Sequence, residues 1–219
     1  LEKVAGDDKV NSTPQQVPAS NERFVRCGTL TLDLYARRAT MGDRVVELPP
    51  TSFDYLLVLA RHQAAAGAPA QPEVLAELAR QAVADAAAAA QARNIDLGLA
   101  PSDEARIACH PDAIEMLLRN LIDNAVKYTP AGGTVTVQVR AVDDGVLLSV
   151  DDSGPGIAPA DRERVLDRFY RVPGSDATGS GLGLAIVKAV ADLHGAALSL
   201  TDSPELGGLR AEVRFDPAR

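Results

Sequence analysis

Asn120, Asn124 and Lys127 recur at i, i+4 and i+7 in a stretch whose apolar residues fall at helical spacing: Ile114, Leu117, Leu118, Leu121, Ile122 and Ala125. The three polar residues therefore share one helix face. An amide oxygen is a hard ligand for Mg²⁺, and a nearby ammonium can neutralise phosphate charge. Downstream, Val150-Asp151-Asp152-Ser153-Gly154-Pro155-Gly156-Ile157 reads as a strand breaking into a turn. A carboxylate there can accept a hydrogen bond from an exocyclic amine, while the glycines let a ring approach the backbone. Asp167-Arg168-Phe169-Tyr170-Arg171 sets two guanidiniums around an aromatic pair. Last come Gly179, Gly181 and Gly183, alternate glycines running into the amphipathic stretch Leu184-Ala185-Ile186-Val187. A Gly-rich turn at a helix start bares N–H groups at the positive end of the dipole, which suits a phosphate chain.

Each piece also has a plainer reading: a solvated helix face, a tight turn, a surface charge cluster, another turn. The glycine pattern alone does not choose between phosphate cradle and plain turn. All four pieces, in this order over about 70 residues, are a far more specific signal.

Order and wording resemble the catalytic ATP-binding domain of sensor histidine kinases, whose nucleotide-binding fold is shared with gyrase-type ATPases. The matching stretches are the N box (Asn120 to Thr129), the first glycine box (Asp152 to Gly156), the F box (Asp167 to Arg171) and the second glycine box (Gly179 to Leu184). The resemblance runs from about Pro72 to Phe215. It implies ATP and Mg²⁺ as cofactors, with Asn124 on the metal and Asp152 on the adenine amine. It implies that Asn120, Lys127 and Tyr128 line the phosphate and ribose side, and that Arg168 or Arg171 reaches the γ-phosphate. Gly154, Gly156 and Ile157 would border the base. Gly179, Gly181, Leu182, Gly183 and Leu184 would form the phosphate cradle, and Ala158 to Thr178 the ATP lid.

One position separates relatives. Hydrolytic members of the superfamily resemble one another in placing a Glu one helical turn before the Mg²⁺ Asn. Here that place is Asn120, an amide with no useful basicity at neutral pH. The site is expected to hold ATP for transfer rather than hydrolysis. The family acceptor, a His in a His-acidic-apolar-basic-x-Pro stretch, has no counterpart. His62 is followed by Gln63-Ala64-Ala65-Ala66, His110 precedes Pro111 at a helix start, and His194 precedes Gly195 at a helix end. All three read as structural. The resemblance implies two partners, a histidine-bearing dimerisation domain and a response regulator.

The composition fits a cytoplasmic-type protein. Apolar residues make up 46%, yet no run approaches the roughly 18 residues that cross a bilayer. No basic-then-apolar leader opens the sequence. Cys27 and Cys109 give neither metal spacing nor a disulfide framework. A net charge of −8 argues against a nucleic-acid surface.

The elements that must position these residues divide at the alanine- and glycine-rich stretch 64–71, read as a linker. Residues 1–21 are polar and Pro-containing, with no hydrophobic period, and read as a flexible tail. Residues 22–63 form a β-rich segment: a strand over Phe24 to Asp33, strands at Arg37 to Thr40 and Val45 to Leu48, then a helix capped by Ser52 over Phe53, Leu56, Leu57 and Leu59. Gly28-Thr29-Leu30-Thr31-Leu32-Asp33, Gly42-Asp43-Arg44-Val45 and Leu48-Pro49-Pro50-Thr51-Ser52-Phe53 resemble the start of the winged-helix DNA-binding domain of response regulators. The chain turns to the linker where that family has its recognition helix, so DNA binding is not expected. Two partial resemblances joined near Gly67 suggest a recombined or engineered chimera, with segment swapping between copies open to it. A divergent natural linker domain is the alternative reading, and a DNA-binding or interaction module with a passenger nucleotide fold is a further one.

For residues 72–219 the expected class is α+β: a two-layer α/β sandwich, a mixed sheet covered on one face by helices. The expected elements are a helix from Pro72 to about Ala92, strands at Ile95 to Leu99 and Arg106 to Cys109, and the long Asn124 helix. Strands Thr134 to Arg140 and Val146 to Val150, a helix from Gly183 to His194, and strands Ala197 to Thr201 and Leu209 to Phe215 complete it.

Overall fold

The computed structural model describes residues 23–27, 30–46, 53, 56, 57, 60, 70–172 and 180–217. The expected tail 1–21, Ser52, His62, most of the linker, Gly179 and the lid segment 173–178 lie outside the described residues.

Alternation builds the main sheet. Strands β6 (Asp96–Leu99), β8 (Thr134–Val142), β9 (Gly145–Asp152), β10 (Ala197–Asp202) and β11 (Leu209–Phe215) lie in the order β10-β11-β9-β8-β6. Only β6 and β8 run parallel; the other neighbours are antiparallel. Val135, Val137 and Val139 on β8, and Val146, Leu148 and Val150 on β9, are buried at every second position. Period-2 burial puts them on the single face that the helices cover. Helices α1 (Leu75–Ala92), α2 (Pro111–Tyr128) and α3 (Gly183–Leu193) form the second layer, with α2 between the other two. Ile114, Leu117, Leu118, Leu121, Ile122 and Ala125 of α2 are all buried, as their spacing demands. The two-layer α/β sandwich with a mixed sheet is the fold of this region.

Two expected boundaries move. The helix anticipated from Pro72 begins at Leu75, because Gln71–Val74 forms β5, which pairs with β7 (Arg106–Cys109). Pro72 has no N–H to donate and is tolerated because β5 and β7 form a separate two-stranded ribbon, in which both strands are edges. Gln71, the last residue of the expected linker, is the first residue of β5. The helix expected to reach His194 stops at Leu193. His194 is its C-cap, and Gly195 at φ +62 turns the chain, with its N–H on Asp192 O and that of Ala196 on Ala191 O. The alanine-rich part of α1 stays helical to Ala92, and Ala90 is buried although it has little side chain to contribute.

Upstream, the single strand expected over Phe24 to Asp33 is two. β1 (Phe24–Cys27) and β2 (Leu30–Asp33) pair antiparallel with Cys27 opposite Leu30. With β3 (Arg38–Met41) and β4 (Arg44–Val46) they make a four-stranded sheet in sequence order. Val25, Leu32 and Ala39 are buried with Phe53, Leu57 and Ala60 in a small second core. Met116 of α2 packs against that core and also against the main one. Among the described residues no helix is long and apolar enough to cross a membrane.

Candidate functional site

The cleft follows from where β9 ends. Val146, Leu148, Val150 and Asp152 share one face of the strand, so the parity that buries three apolar side chains carries Asp152 to the same side, at the edge of the helix layer. Asp151 falls on the opposite face. There its Oδ1 accepts from Ser203 Oγ at 2.7 Å and from Nε of Arg210, its cross-strand partner, at 2.8 Å. One of the two adjacent carboxylates is a clamp for the sheet; the other borders a cleft of about 540 Å³.

Asp152 Oδ1 accepts two backbone N–H groups, from Gly154 at 2.8 Å and Leu209 at 3.1 Å. Both converge on one oxygen, so Oδ2 keeps its lone pairs for another donor. Burial pushes the carboxyl above its ordinary range, the two N–H bonds oppose that rise, and the Asp151 charge adds to it. A carboxylate this enclosed gains from a donor that enters the cleft.

The α2 wall supplies Asn120, Asn124, Lys127 and Tyr128, all lining the cleft. Asn120 Nδ2 donates back to Met116 O at 2.8 Å, which uses one of its two N–H groups and leaves the other N–H and the carbonyl oxygen for the cleft. Lys127 Nζ lies 4.8 Å from the centre of the Tyr128 ring and 3.4 Å from its hydroxyl. Arg93 donates to the carbonyls of Lys127 at 3.0 Å and Thr129 at 3.3 Å, closing the C-terminal end of α2 with a cation where the dipole is negative.

Opposite, the two glycine segments and the F box are fitted together. A β-carbon on Gly183 would stand 2.8 Å from Asn124 Nδ2 and 3.1 Å from its Oδ1, so a side chain here would push that amide aside. Gly181, at φ +70, accepts at its carbonyl oxygen from the Phe169 N–H at 2.9 Å. Phe169 is itself at φ +64, with its ring largely exposed. Tyr170 donates from its hydroxyl to Asp161 at 2.8 Å, under a guanidinium of Arg164 centred 4.4 Å from the ring. Arg162 Nε donates to Ile157 O at 2.9 Å, tying the first glycine turn to the 3₁₀ turn Pro159–Asp161.

The structure thus brings Asn120, Asn124, Lys127, Tyr128, Asp152, Gly156, Ile157, Arg171, Gly181, Gly183 and Leu184 to one cleft. Three expected residues stand elsewhere. Gly154 sits behind the wall, supporting Asp152 and pressed against the Tyr128 backbone. Leu182 is buried in the main core as the N-cap residue of α3. Arg168 is exposed and does not line the cleft. Val165, Leu209 and Ala211 also line it and were not anticipated, since their places depend on chain folding and not on any local motif.

The two described histidines are engaged structurally. His194 Nε2 accepts from the His110 backbone N–H at 3.1 Å, which leaves the proton on Nδ1, 2.8 Å from Val190 O. Burial lowers the affinity of His194 for a second proton; the Val190 carbonyl opposes this and the neighbouring His110 ring reinforces it. Cys109 is buried, and its thiol is pushed up to about 11 by burial and then by Glu73, so it is inert near neutral pH.

Residues 109–219 match the family of histidine kinase-, DNA gyrase B- and HSP90-like ATPases. The sensor protein QseC of Salmonella typhi is 43% identical over 143 residues, which is 64% of this chain and 30% of that protein. The sensor protein kinase PmrB of Pseudomonas aeruginosa is 35% identical over 190 residues, 82% of this chain and 38% of that protein. That alignment exceeds the stretch from Gln71 to Arg219, so it takes in part of the N-terminal segment. The solved ATP binding domain of PrrB from Mycobacterium tuberculosis matches with a TM-score of 0.58 and 32% identity, over 68% of this chain and 98% of that one. The chain spans about a third of the length of these curated relatives. With just over half of its residues matched, this chain belongs to the histidine kinase-, DNA gyrase B- and HSP90-like ATPase family, and its cleft-bearing region is a catalytic ATP-binding domain of the sensor histidine kinase type.

Proposed function

We propose that the chain binds Mg²⁺-ATP in the cleft between α2 and α3 and presents the γ-phosphate to a histidine carried on a separate helical hairpin, which in turn serves a response regulator. The observation that carries this reading is the confluence of Asp152 with Asn120 and Asn124 in one cleft, where a hydrolytic relative would place a carboxylate at position 120. An amide has no useful basicity at neutral pH and cannot activate water, which favours transfer over hydrolysis.

Within this reading Asp152 accepts from the adenine amine, with Gly156 and Ile157 beside the ring. Lys127 and Arg171 meet phosphate charge, Tyr128 borders the ribose, and Gly181, Gly183 and Leu184 flank the phosphate chain, with Gly179 just before them. Arg168 is assigned to the γ-phosphate only through movement of the F box.

The donor set fits Mg²⁺. Asn124 offers a hard amide oxygen, and among the described residues no group of three or more His, Cys, Asp or Glu forms an all-protein cage. That is the setting in which Mg²⁺ is held by one side chain and the nucleotide's own phosphates. When bound it would supply charge neutralisation at the transferring group. ATP as substrate assigns the site to the cytoplasm.

We take residues 72–219, extended to Gln71, as the nucleotide-binding domain and 22–63 as an accessory β-rich unit that keeps the winged-helix likeness as architecture only. A net charge of −8 opposes a nucleic-acid role for it. Calorimetry with a non-hydrolysable ATP analogue, with and without Mg²⁺, tests the function: binding strengthened by Mg²⁺ supports it, and no binding overturns it. A DNA mobility assay on the same sample should show no shift.

A further inference from the structure

The loop joining β10 to β11 closes directly on Asp152 and lies outside the four boxes named above. Gly208 N–H donates to Asp152 O at 3.1 Å, and Gly208 O accepts from Ser203 N–H at 2.8 Å. The next residue, Leu209, donates its N–H to Asp152 Oδ1. A β-carbon at Gly208 would stand 2.3 Å from Asp152 O, 2.4 Å from Asp152 Oδ1 and 2.6 Å from Gly154 N. All three distances are shorter than real β-carbon contacts, and two involve backbone that cannot swing aside. Gly208 is not in the left-handed region, so alanine is refused here by crowding and not by its own backbone.

We propose that Gly208 and the Leu209 N–H are the positioning elements of the Asp152 carboxylate, and so determine the preference of the site for a 6-amino over a 6-oxo purine. The inference rests on the adenine assignment of Asp152. With Oδ1 fixed by two N–H donors and packed against Gly208, which has no side chain to displace it, Oδ2 is the oxygen presented to the base. An adenine amine donates to it; the 6-oxo group of hypoxanthine opposes it with a second acceptor. Any side chain at 208 must push the hairpin or the carboxylate away, and the Leu209 N–H leaves with the hairpin.

The same hairpin holds the neighbouring carboxylate from the other face, through Ser203 Oγ and Arg210 on Asp151. Its closure therefore registers the whole end of β9 and not Asp152 alone. Displacing it at Gly208 moves one strand end and both acids.

The test is calorimetric titration of the full chain with ATP and with inosine triphosphate. Wild type should bind ATP about 10-fold or more tightly than inosine triphosphate, the loss expected for one hydrogen bond to a charged group. Gly208→Ala should bring that ratio near unity while the far-ultraviolet dichroism stays that of wild type. Leu209→Pro, which removes the N–H at the first residue of a strand together with the leucine side chain, should do the same, while Leu209→Ala, which loses the side chain and keeps the N–H, should retain the preference. If Gly208→Ala fails to fold, the two Leu209 variants decide. A preserved ratio in Leu209→Pro, or an equal fall in Leu209→Ala, overturns the proposal. A wild type that binds no adenine nucleotide overturns the assignment of the site itself, which is a distinguishable result.

Discussion

The His110 backbone N–H donates to Nε2 of His194, and this single bond fixes that imidazole as a neutral Nδ1–H tautomer tucked against the last turn of α3. Protonating Nε2 would set a cation against an N–H donor in a buried place. The folded state therefore takes up the second proton less readily than the unfolded chain. Below the ordinary histidine range near 6.5 the unfolded state binds more protons, so stability should fall as pH drops through and beneath that value. The slope from one such group cannot exceed about 1.4 kcal/mol per pH unit. Urea denaturation at pH 7.5 and 5.5 should show a loss that His194→Gln, whose amide oxygen can still accept from His110, largely removes. An unchanged pH dependence in His194→Gln would place the titrating group elsewhere.

The same bonds bear on phosphorylation. In-line transfer needs an acceptor nitrogen about 3–3.5 Å from the γ-phosphorus, opposite the leaving oxygen. His194 has both ring nitrogens engaged and His110 stands at the N-terminus of α2, two to three turns before Asn120. Incubation with labelled ATP is expected to leave no acid-labile, alkali-stable phosphate on this chain. A separate helical hairpin bearing an acceptor histidine should gain it. Label on the chain itself that vanishes in His62→Gln would reassign the N-terminal segment as an acceptor helix.

Removing the Asp152 carboxylate should cost most of the adenine affinity. Asp152→Ala or Asp152→Asn is expected to weaken ADP binding by about 1–3 kcal/mol, the cost of an unpaired amine in a desolvated place. An unaltered ADP titration would sink the adenine assignment.

Asn124 and Gly183 should behave as a pair. Asn124→Ala deletes the amide oxygen, and Gly183→Ala displaces it, because the new methyl group would meet the amide within about 3 Å. An amide end can rotate away, so Gly183→Ala should fold with little loss of melting temperature. Both variants are expected to weaken the Mg²⁺-dependent part of ATP-analogue binding more than metal-free ADP binding. Equal losses with and without Mg²⁺ would leave Asn124 a helix-shaping residue only.

Helix α2 was legible before any coordinates. Its apolar spacing names the buried face, its i, i+4, i+7 polar residues name the face toward the cleft, and Pro111 marks its start; these are local rules of one helix. Gly195 as the stop of α3 was legible for the same reason. The start of α1 was not. Gln71 to Val74 could lead a helix as well as not, and only β7, more than thirty residues on, offers the partner that makes the segment a strand.

The chain's order of motifs determined the family and the amide at position 120, because each is written in consecutive residues. Which of two adjacent aspartates faces the cleft was decided by the sheet. Strand parity sends Asp151 and Asp152 to opposite faces, and Arg210 and Ser203, brought over from β11 and the loop before it, claim Asp151. Gly208 reads in sequence as an ordinary turn glycine. Its crowding against Asp152 exists only once β11 lies beside β9, since contacts between residues so far apart in the chain are set by strand pairing and not by local preference.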